Sequence, residues 1–112
     1  MTTTLAGGAT PDLDTMIGLV RTLGQQKFAP RAARYDADAT FPFENYDDLR
    51  AAGLLKLCVP TRHGGLGADY RTYCLVAAEM GRWDGATALT FNMHACSQLW
   101  TGPLADDLDM TA

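Results

Sequence analysis

The chain has 112 residues and a mass of 12.1 kDa, which is enough for one domain or part of one and excludes a barrel enzyme or a two-domain nucleotide enzyme. With 47% hydrophobic and 20% charged residues, the composition is globular and excludes a disordered chain or collagen-like repeats. The formal net charge is −4, and the scattered arginines form no basic stripe of the kind that nucleic acid binding requires.

The amino terminus and the cysteines indicate the compartment. Residues 1–20 contain no basic residue and no unbroken apolar run, so they do not have the pattern of a signal or transit peptide. Three cysteines cannot all pair within one chain. Together these features predict a reducing, cytoplasmic setting.

Helical signals begin at Thr10 and Pro11, which are typical of an N-cap and a first helical turn. Pro30 predicts that the helix kinks or restarts near Ala29, with 31–35 as its continuation. An apolar stripe at spacings of three and four predicts one buried face for this helix: Leu13, Met16, Ile17, Val20, Leu23 and Phe28.

A second helix is predicted over Phe43 to Ala52, with Leu49 facing inward and Gly53 as its stop. The apolar residues 54–59 that follow could form a short strand. Because no other segment offers a strand partner, we expect an extended, buried connection that ends at Pro60.

The glycine-dense segment 63–67 invites a nucleotide-binding interpretation. Tyr70 stands where a dinucleotide fingerprint needs its third glycine, and no β-α-β unit surrounds the segment, so a structural turn is favoured. Asp69 is a good N-cap for a third, mostly apolar helix from Tyr70 to about Arg82. Within it, Glu79 is placed to pair with Arg82.

A fourth helix is predicted from about Ala86 to Trp100, and residues 85–102 contain no charge. The segment carries too many polar side chains for a membrane span. Four short helices cannot enclose a helix with two apolar faces, which suggests that further polypeptide belongs against it. One stripe comprises Ala86, Leu89, Met93, Cys96 and Trp100, and the other comprises Ala88, Phe91, Asn92, Ala95 and Leu99.

The residue spacing gives no metal site or nucleophile. His94 and Cys96 are two apart on a helix, about 200° around its axis, so they are poorly placed to share an ion. Ser97 lacks the flanking glycines of a nucleophile elbow. The residues alone therefore predict an all-α domain of about four helices, with no catalytic or metal-binding residue.

The order of these signals resembles the start of the acyl-CoA dehydrogenase family over roughly residues 13–102. The residues that carry the resemblance are Phe28-Ala29-Pro30-Arg31-Ala32 with Asp36, Phe41-Pro42 with Leu49 and Gly53-Leu54, Leu57-Cys58-Val59-Pro60 with Gly64-Gly65-Leu66-Gly67, and Glu79-Met80.

The resemblance implies an orthogonal bundle of about four helices, which is the amino-terminal helical domain of a flavoenzyme that uses FAD for α,β-dehydrogenation of acyl thioesters. In that family a middle β-domain and a carboxy-terminal helical domain bind most of the FAD and supply the catalytic glutamate. The segment alone is then expected to be catalytically incomplete and not to retain FAD. The complete enzyme is expected to bind an acyl-CoA-type substrate and to form a homo-oligomer.

The resemblance also implies that the fourth helix lines the acyl pocket, with Ala88, Phe91, Asn92 and Ala95 as the substrate-binding residues and Phe91 limiting chain length. The implied division is a flexible arm (1–9), the helical domain (10–102) and an acidic tail (103–112). Two alternatives stay open: a fragment of a flavin-dependent monooxygenase on the same scaffold, and a stand-alone helical interaction module without catalysis.

Overall fold

The computed structural model describes residues 3–108, and these residues form helices and connecting turns without a strand. Helix α1 (Leu13–Leu23) and helix α2 (Ala29–Asp38) are joined by a π-helical turn (Gly24–Phe28). They are followed by α3 (Phe43–Ala52), α4 (Tyr70–Gly81) and α5 (Gly85–Asp107). Counting the joined pair as one kinked helix, the prediction of an all-α fold with four helices is confirmed.

Helix α1 starts two residues later than predicted, because Asp12 rather than Thr10 occupies the N-cap position. The predicted apolar stripe is buried at Met16, Val20, Leu23 and Phe28. The helix widens into the π-helical turn before Pro30, which lies in the first turn of α2. Proline has no N–H to donate and its ring crowds the carbonyl of residue i−4, so it interrupts a regular helix, and the two helical segments join at this place.

Helix α3 has the predicted bounds and ends at Gly53, whose φ of 83° lies in the left-handed region that favours glycine. Part of the predicted amino-terminal arm packs against this end of α3. The backbone N–H of Leu5 donates to the carbonyl of Ala52 at 2.8 Å, and the Leu5 side chain is buried.

The expectation of an extended segment over residues 54–59 was wrong. Leu54–Lys56 forms a 3₁₀ turn, and the N–H groups of Leu57 and Val59 donate to the carbonyls of Leu54 and Lys56 at 3.1 and 3.2 Å. A single 3₁₀ turn satisfies the backbone locally where no neighbouring strand exists. A second 3₁₀ turn, Thr61–His63, leads into the glycine segment.

Helices α4 and α5 pack against each other, and α4 also packs on α1. The Asp69 carboxylate caps α4 by accepting from the Thr72 N–H at 2.8 Å, as predicted. Helix α5 extends seven residues beyond Trp100, with Pro103 inside it and an ion pair between Asp106 and Arg62. The predicted tail thus begins within α5, and its residues 109–112 lie outside the described part of the chain.

The core lies where α1, α3, α4 and α5 meet the turn after α3. Its apolar residues with 0% exposure are Val20, Phe28, Leu49, Ala52, Leu54, Leu57, Leu66, Val76, Met80, Phe91 and Ala95. No helix within residues 3–108 has both the length and the apolar character needed to cross a membrane.

Candidate functional site

The four predicted substrate-binding residues on α5 fall into two pairs. Phe91 and Ala95 have 0% exposure and belong to the core of this domain. Asn92 and Ala88 are half-buried at the edge of the same helix. In this conformation only the second pair has surface that a ligand can contact. The role assigned to the four residues as a set remains a prediction.

Asn92 lines an open recess of about 410 Å³ between α4 and α5. Tyr70 is largely exposed and Tyr73 is buried, and their ring centroids lie 5.9 Å apart on the α4 side. No charged side chain lines this recess, so it offers apolar contacts and few hydrogen-bonding groups to a ligand. The six residues that line the recess are Tyr70, Tyr73, Asn92, Cys96, Leu99 and Trp100.

Five of these six residues were not among the predicted substrate-binding residues. The sequence pattern placed Tyr70 at the start of the third helix and placed Cys96 and Trp100 on the other stripe of α5. The recess forms only because α4 lies beside α5, which helical periodicity on one segment does not reveal. In the sequence, the apolar stripe that contains Trp100, on a helix without charge, was the feature that indicated an uncovered surface here.

A buried polar cluster fixes the start of α5 against α3. The Asn45 amide nitrogen donates to Thr87 Oγ1 at 2.9 Å and to Asp84 Oδ2 at 3.2 Å. Its amide oxygen accepts from Arg31 at 3.0 Å. Because Asn45 and Thr87 have 0% exposure and their polar atoms are paired, this cluster sets the position of α5.

A second anchor joins the middle of α5 to the turn after α3. The Gln98 side chain donates to the Leu55 carbonyl and accepts from the Cys58 N–H at 3.1 Å. His94 Nε2 lies 2.6 Å from the same Leu55 carbonyl and 2.9 Å from the Gln98 amide nitrogen. These two polar side chains therefore satisfy backbone groups of the turn after α3.

Glu79 holds α4 against α1. Its carboxylate accepts from Arg21 Nε at 2.9 Å, from Arg82 at 3.2 Å and from Trp83 Nε1 at 3.4 Å. Burial raises the pKa of this carboxyl, but hydrogen bonds from Arg21, Trp83 and Arg82 outweigh burial and leave the pKa below its ordinary value. The predicted pair with Arg82 is confirmed, and Glu79 is an ionised structural residue.

Cys58 does not have the lowered pKa of an activated nucleophile. Burial raises the pKa of Cys58 to about 11, with smaller contributions from Asp69 and Cys74, so its thiol stays protonated at neutral pH. Cys74 and Cys96 are exposed and unpaired. Within residues 3–108 no group of three or more His, Cys, Asp or Glu side chains is placed to hold a metal ion.

The glycine segment is a structural turn. The N–H groups of Gly64, Gly65 and Gly67 donate to the carbonyls of Thr61, Pro60 and Val59 at 2.9 to 3.1 Å. A Cβ on Gly65 would lie 2.0 Å from the Val59 carbonyl oxygen. The glycine N–H groups that could cradle a phosphate are thus already used within the fold.

The chain is similar to proteins of one enzyme family over most of its length. Residues 10–104 match the family described as "Acyl-CoA dehydrogenase, N-terminal domain". The chain is 35% identical over 90 residues to cyclohex-1-ene-1-carbonyl-CoA dehydrogenase of Syntrophus aciditrophicus, covering 80% of this chain and 22% of that protein. It is 36% identical over 76 residues to the probable acyl-CoA dehydrogenase fadE25 of Mycobacterium bovis, covering 68% of this chain and 20% of that protein.

A third relative carries a different reaction in its name. The 3-sulfinopropanoyl-CoA desulfinase of Variovorax paradoxus is 39% identical over 62 residues, covering 55% of this chain and 16% of that protein. The chain spans about a fifth of the length of the curated relatives it matches. The match over residues 10–104 and the all-helical fold agree: the chain belongs to the acyl-CoA dehydrogenase family and corresponds to its N-terminal domain.

Proposed function

We propose that this chain is the amino-terminal part of an FAD-dependent acyl-CoA dehydrogenase-like oxidoreductase, in which the α4–α5 recess forms one wall of the acyl pocket. The observation that carries the proposal is the recess itself. It has about 410 Å³ of uncharged space bordered by three aromatic side chains and Asn92. Ligand pockets typically have 300 to 1,000 Å³ and are mostly apolar with a few polar groups.

Membership of the family implies FAD in the full-length enzymes. The glycine segment of this chain does not fit the pyrophosphate of that cofactor, because its glycine N–H groups donate to the carbonyls of Pro60, Thr61 and Val59. The described residues also place no carboxylate in the recess to remove a proton from a substrate. The chain's own contribution is therefore to bind and position the acyl group, in a complete enzyme expected to be cytoplasmic.

Of the four residues predicted to contact substrate, Asn92 is the best placed. Its side chain lines the recess and is only half-buried. Ala88 lies one turn before Asn92 and is half-buried. Phe91 and Ala95 are fully buried and are not among the lining residues of the recess in this conformation.

The test uses a full-length chimaera in which residues 10–104 replace the aligned segment of the Syntrophus cyclohex-1-ene-1-carbonyl-CoA dehydrogenase. We expect a flavin-loaded enzyme in which Asn92→Ala changes the ratio of kcat/KM between short and long acyl-CoA substrates. Gln25→Ala, an exposed amide on the π-helical turn, is the matched control and should leave the ratio unchanged. A chimaera that folds with bound flavin but shows no effect of Asn92→Ala would contradict the assigned pocket wall.

The reaction class is a separate question, because one relative of this chain is a desulfinase by name. The same chimaera does not answer it, since the reacting groups come from the rest of the enzyme. A stand-alone interaction module remains the competing interpretation. It would be favoured if the chimaera lost flavin and activity while the 112-residue chain stayed a stable monomer.

A further inference from the structure

Residues 4–8, which we call the docked segment, precede the family-matched residues 10–104 and pack on the helical domain. The Leu5 side chain is 6% exposed and belongs to the core. Three residues later, the Gly8 N–H donates to the Gly65 carbonyl at 2.9 Å. The domain of this chain therefore includes a piece of polypeptide outside the region that matches the family.

The docked segment completes the cap at the carboxyl end of α3. The last four carbonyls of a helix have no partner within the helix. At α3, the Gly53 N–H serves the first two of them. The other two accept from the docked segment, because the Thr4 hydroxyl donates to Ala51 and the Leu5 N–H donates to Ala52, both at 2.8 Å. The end of α3 thus depends on the docked segment for half of its backbone partners.

The turn after α3 starts at this cap and is also the turn that holds α5. A Cβ on Gly53 would lie 2.6 Å from the Leu5 carbonyl oxygen, so the docked segment lies directly against the first residue after α3. A few residues on, the Leu55 carbonyl and the Cys58 N–H are both bonded to the Gln98 side chain of α5. One short turn therefore contacts the docked segment at its start and α5 along its length.

The side of α5 that is bonded to the turn lies opposite the side that lines the recess. At about 100° per residue, His94 and Gln98 lie about 160° around the helix axis from the middle of the recess residues, among them Asn92, Cys96 and Leu99. A helix is stiff across its own width. A displacement of the turn is therefore transmitted to the wall of the recess.

We infer that the docked segment is a positioning element for the α4–α5 recess. Leu5 and Thr4 fix the turn after α3, and the turn fixes the setting of α5 through Gln98. Leu5 is a positioning residue, because it does not line the recess. The step from the turn to the recess rests on the proposed function, whereas the step from the docked segment to the turn does not.

The first step is tested by amide hydrogen exchange, measured by NMR on the 112-residue chain. In Leu5→Ala we expect exchange at the Cys58 amide, which donates to Gln98, to become about tenfold faster or more. The Val20 amide in α1 reports opening of the whole domain and should change by less than about threefold. Ala6→Ser, at the adjacent exposed residue, is the matched control and should leave both rates unchanged.

Unchanged exchange at Cys58 in Leu5→Ala would overturn the inference. Equal acceleration at Cys58 and Val20 would also overturn it, because the docked segment would then only add to the stability of the whole domain. If Leu5→Ala does not fold, Thr4→Val gives the same comparison, since it keeps the shape of the side chain and removes only the bond to Ala51.

The second step is tested in a chimaera in which residues 1–104 replace the aligned segment of the Syntrophus dehydrogenase and the residues before it. We expect Leu5→Ala and Gln98→Ala to shift the ratio of kcat/KM between short and long acyl-CoA substrates in the same direction. Ala6→Ser should leave the ratio unchanged. A ratio that responds to Asn92→Ala but not to Leu5→Ala would overturn the inference and leave the proposed function standing.

The failure of the proposed function has a different signature. A ratio that Asn92→Ala does not change would contradict the pocket wall and, with it, the step from the turn to the recess. Faster exchange at Cys58 in Leu5→Ala would still support the step from the docked segment to the turn, because that measurement needs neither flavin nor substrate.

Discussion

Gly24 lies directly against the indole ring of Trp83, so that a Cβ on Gly24 would be 2.0 Å from Trp83 Cδ1. Gly24 begins the π-helical turn after α1, and Trp83 follows α4. The same indole donates through Nε1 to Glu79 and lies under the Arg82 guanidinium, 5.2 Å from the ring centroid. The missing side chain at position 24 therefore allows α1 to approach α4 closely.

Gly24→Ala should destabilise the domain by about 1 to 3 kcal/mol, because the methyl group forces the indole or α1 to move. Gly18→Ala is the matched control within the same helix, since nothing lies within 4 Å of its Cβ position. That change should be neutral or stabilising by up to about 1 kcal/mol. Urea unfolding followed by circular dichroism measures both, and equal effects of the two changes would contradict the close approach.

Glu79→Gln should lower the free energy of unfolding at pH 7 by about 1 to 3 kcal/mol, because it removes the charge that pairs with Arg21 and Arg82. The folded-state pKa of Glu79 lies below its ordinary value. The stabilisation that the ionised Glu79 carboxylate provides is therefore fully present above the unfolded-state pKa of about 4.3. It is lost as the pH falls through the lower, folded-state pKa. The difference between wild type and variant should shrink below about pH 4.

Asp47→Asn provides the control for that pH series, since Asp47 and Arg50 form an exposed pair. Pairs of this kind contribute about 0 to 1 kcal/mol. Unfolding by urea at pH 3, 4, 5 and 7 gives the comparison. A Glu79→Gln effect that stayed constant from pH 7 to pH 3 would show that the lost ion pairs are not its cause.

Gln98→Ala should expose the backbone of the turn after α3, because the Gln98 side chain both accepts from the Cys58 N–H and donates to the Leu55 carbonyl. We expect faster hydrogen exchange at the Cys58 amide and a loss of about 1 to 3 kcal/mol. Ser97→Ala, one residue away, removes only a hydroxyl that bonds within α5. Amide exchange measured by NMR separates the two, and unchanged exchange at Cys58 in Gln98→Ala would refute the bridge.

Phe91→Ala should reduce the free energy of unfolding by about 3 to 5 kcal/mol, because Phe91 is among the largest fully buried side chains. Its neighbour Asn92 lies in the open recess, so Asn92→Ala should change stability by less than about 1 kcal/mol. Thermal unfolding of the two variants gives the comparison. A small loss for Phe91→Ala would contradict the core position of its side chain.

Interactions between residues close in the sequence were sufficient to predict several local features of the fold. The left-handed stop at Gly53 and the Asp69 cap were predictable because each depends on a few neighbouring residues. The pairing of Glu79 with Arg82 was predictable for the same reason, since residues three apart face each other on a helix. The 3₁₀ turn at Leu54–Lys56 was not predicted, because the apolar run there is equally compatible with an extended segment.

The sequence by itself determined the helical class, the family resemblance and the uncharged character of α5, because these depend on composition, order and spacing along the chain. Only the tertiary structure decided which face of α5 is covered. Phe91 and Ala95 point into the core, whereas Leu89, Met93 and Trp100 remain exposed. Both stripes are apolar at the same period, so the difference arises because α4 and the turn after α3 cover one side of the helix.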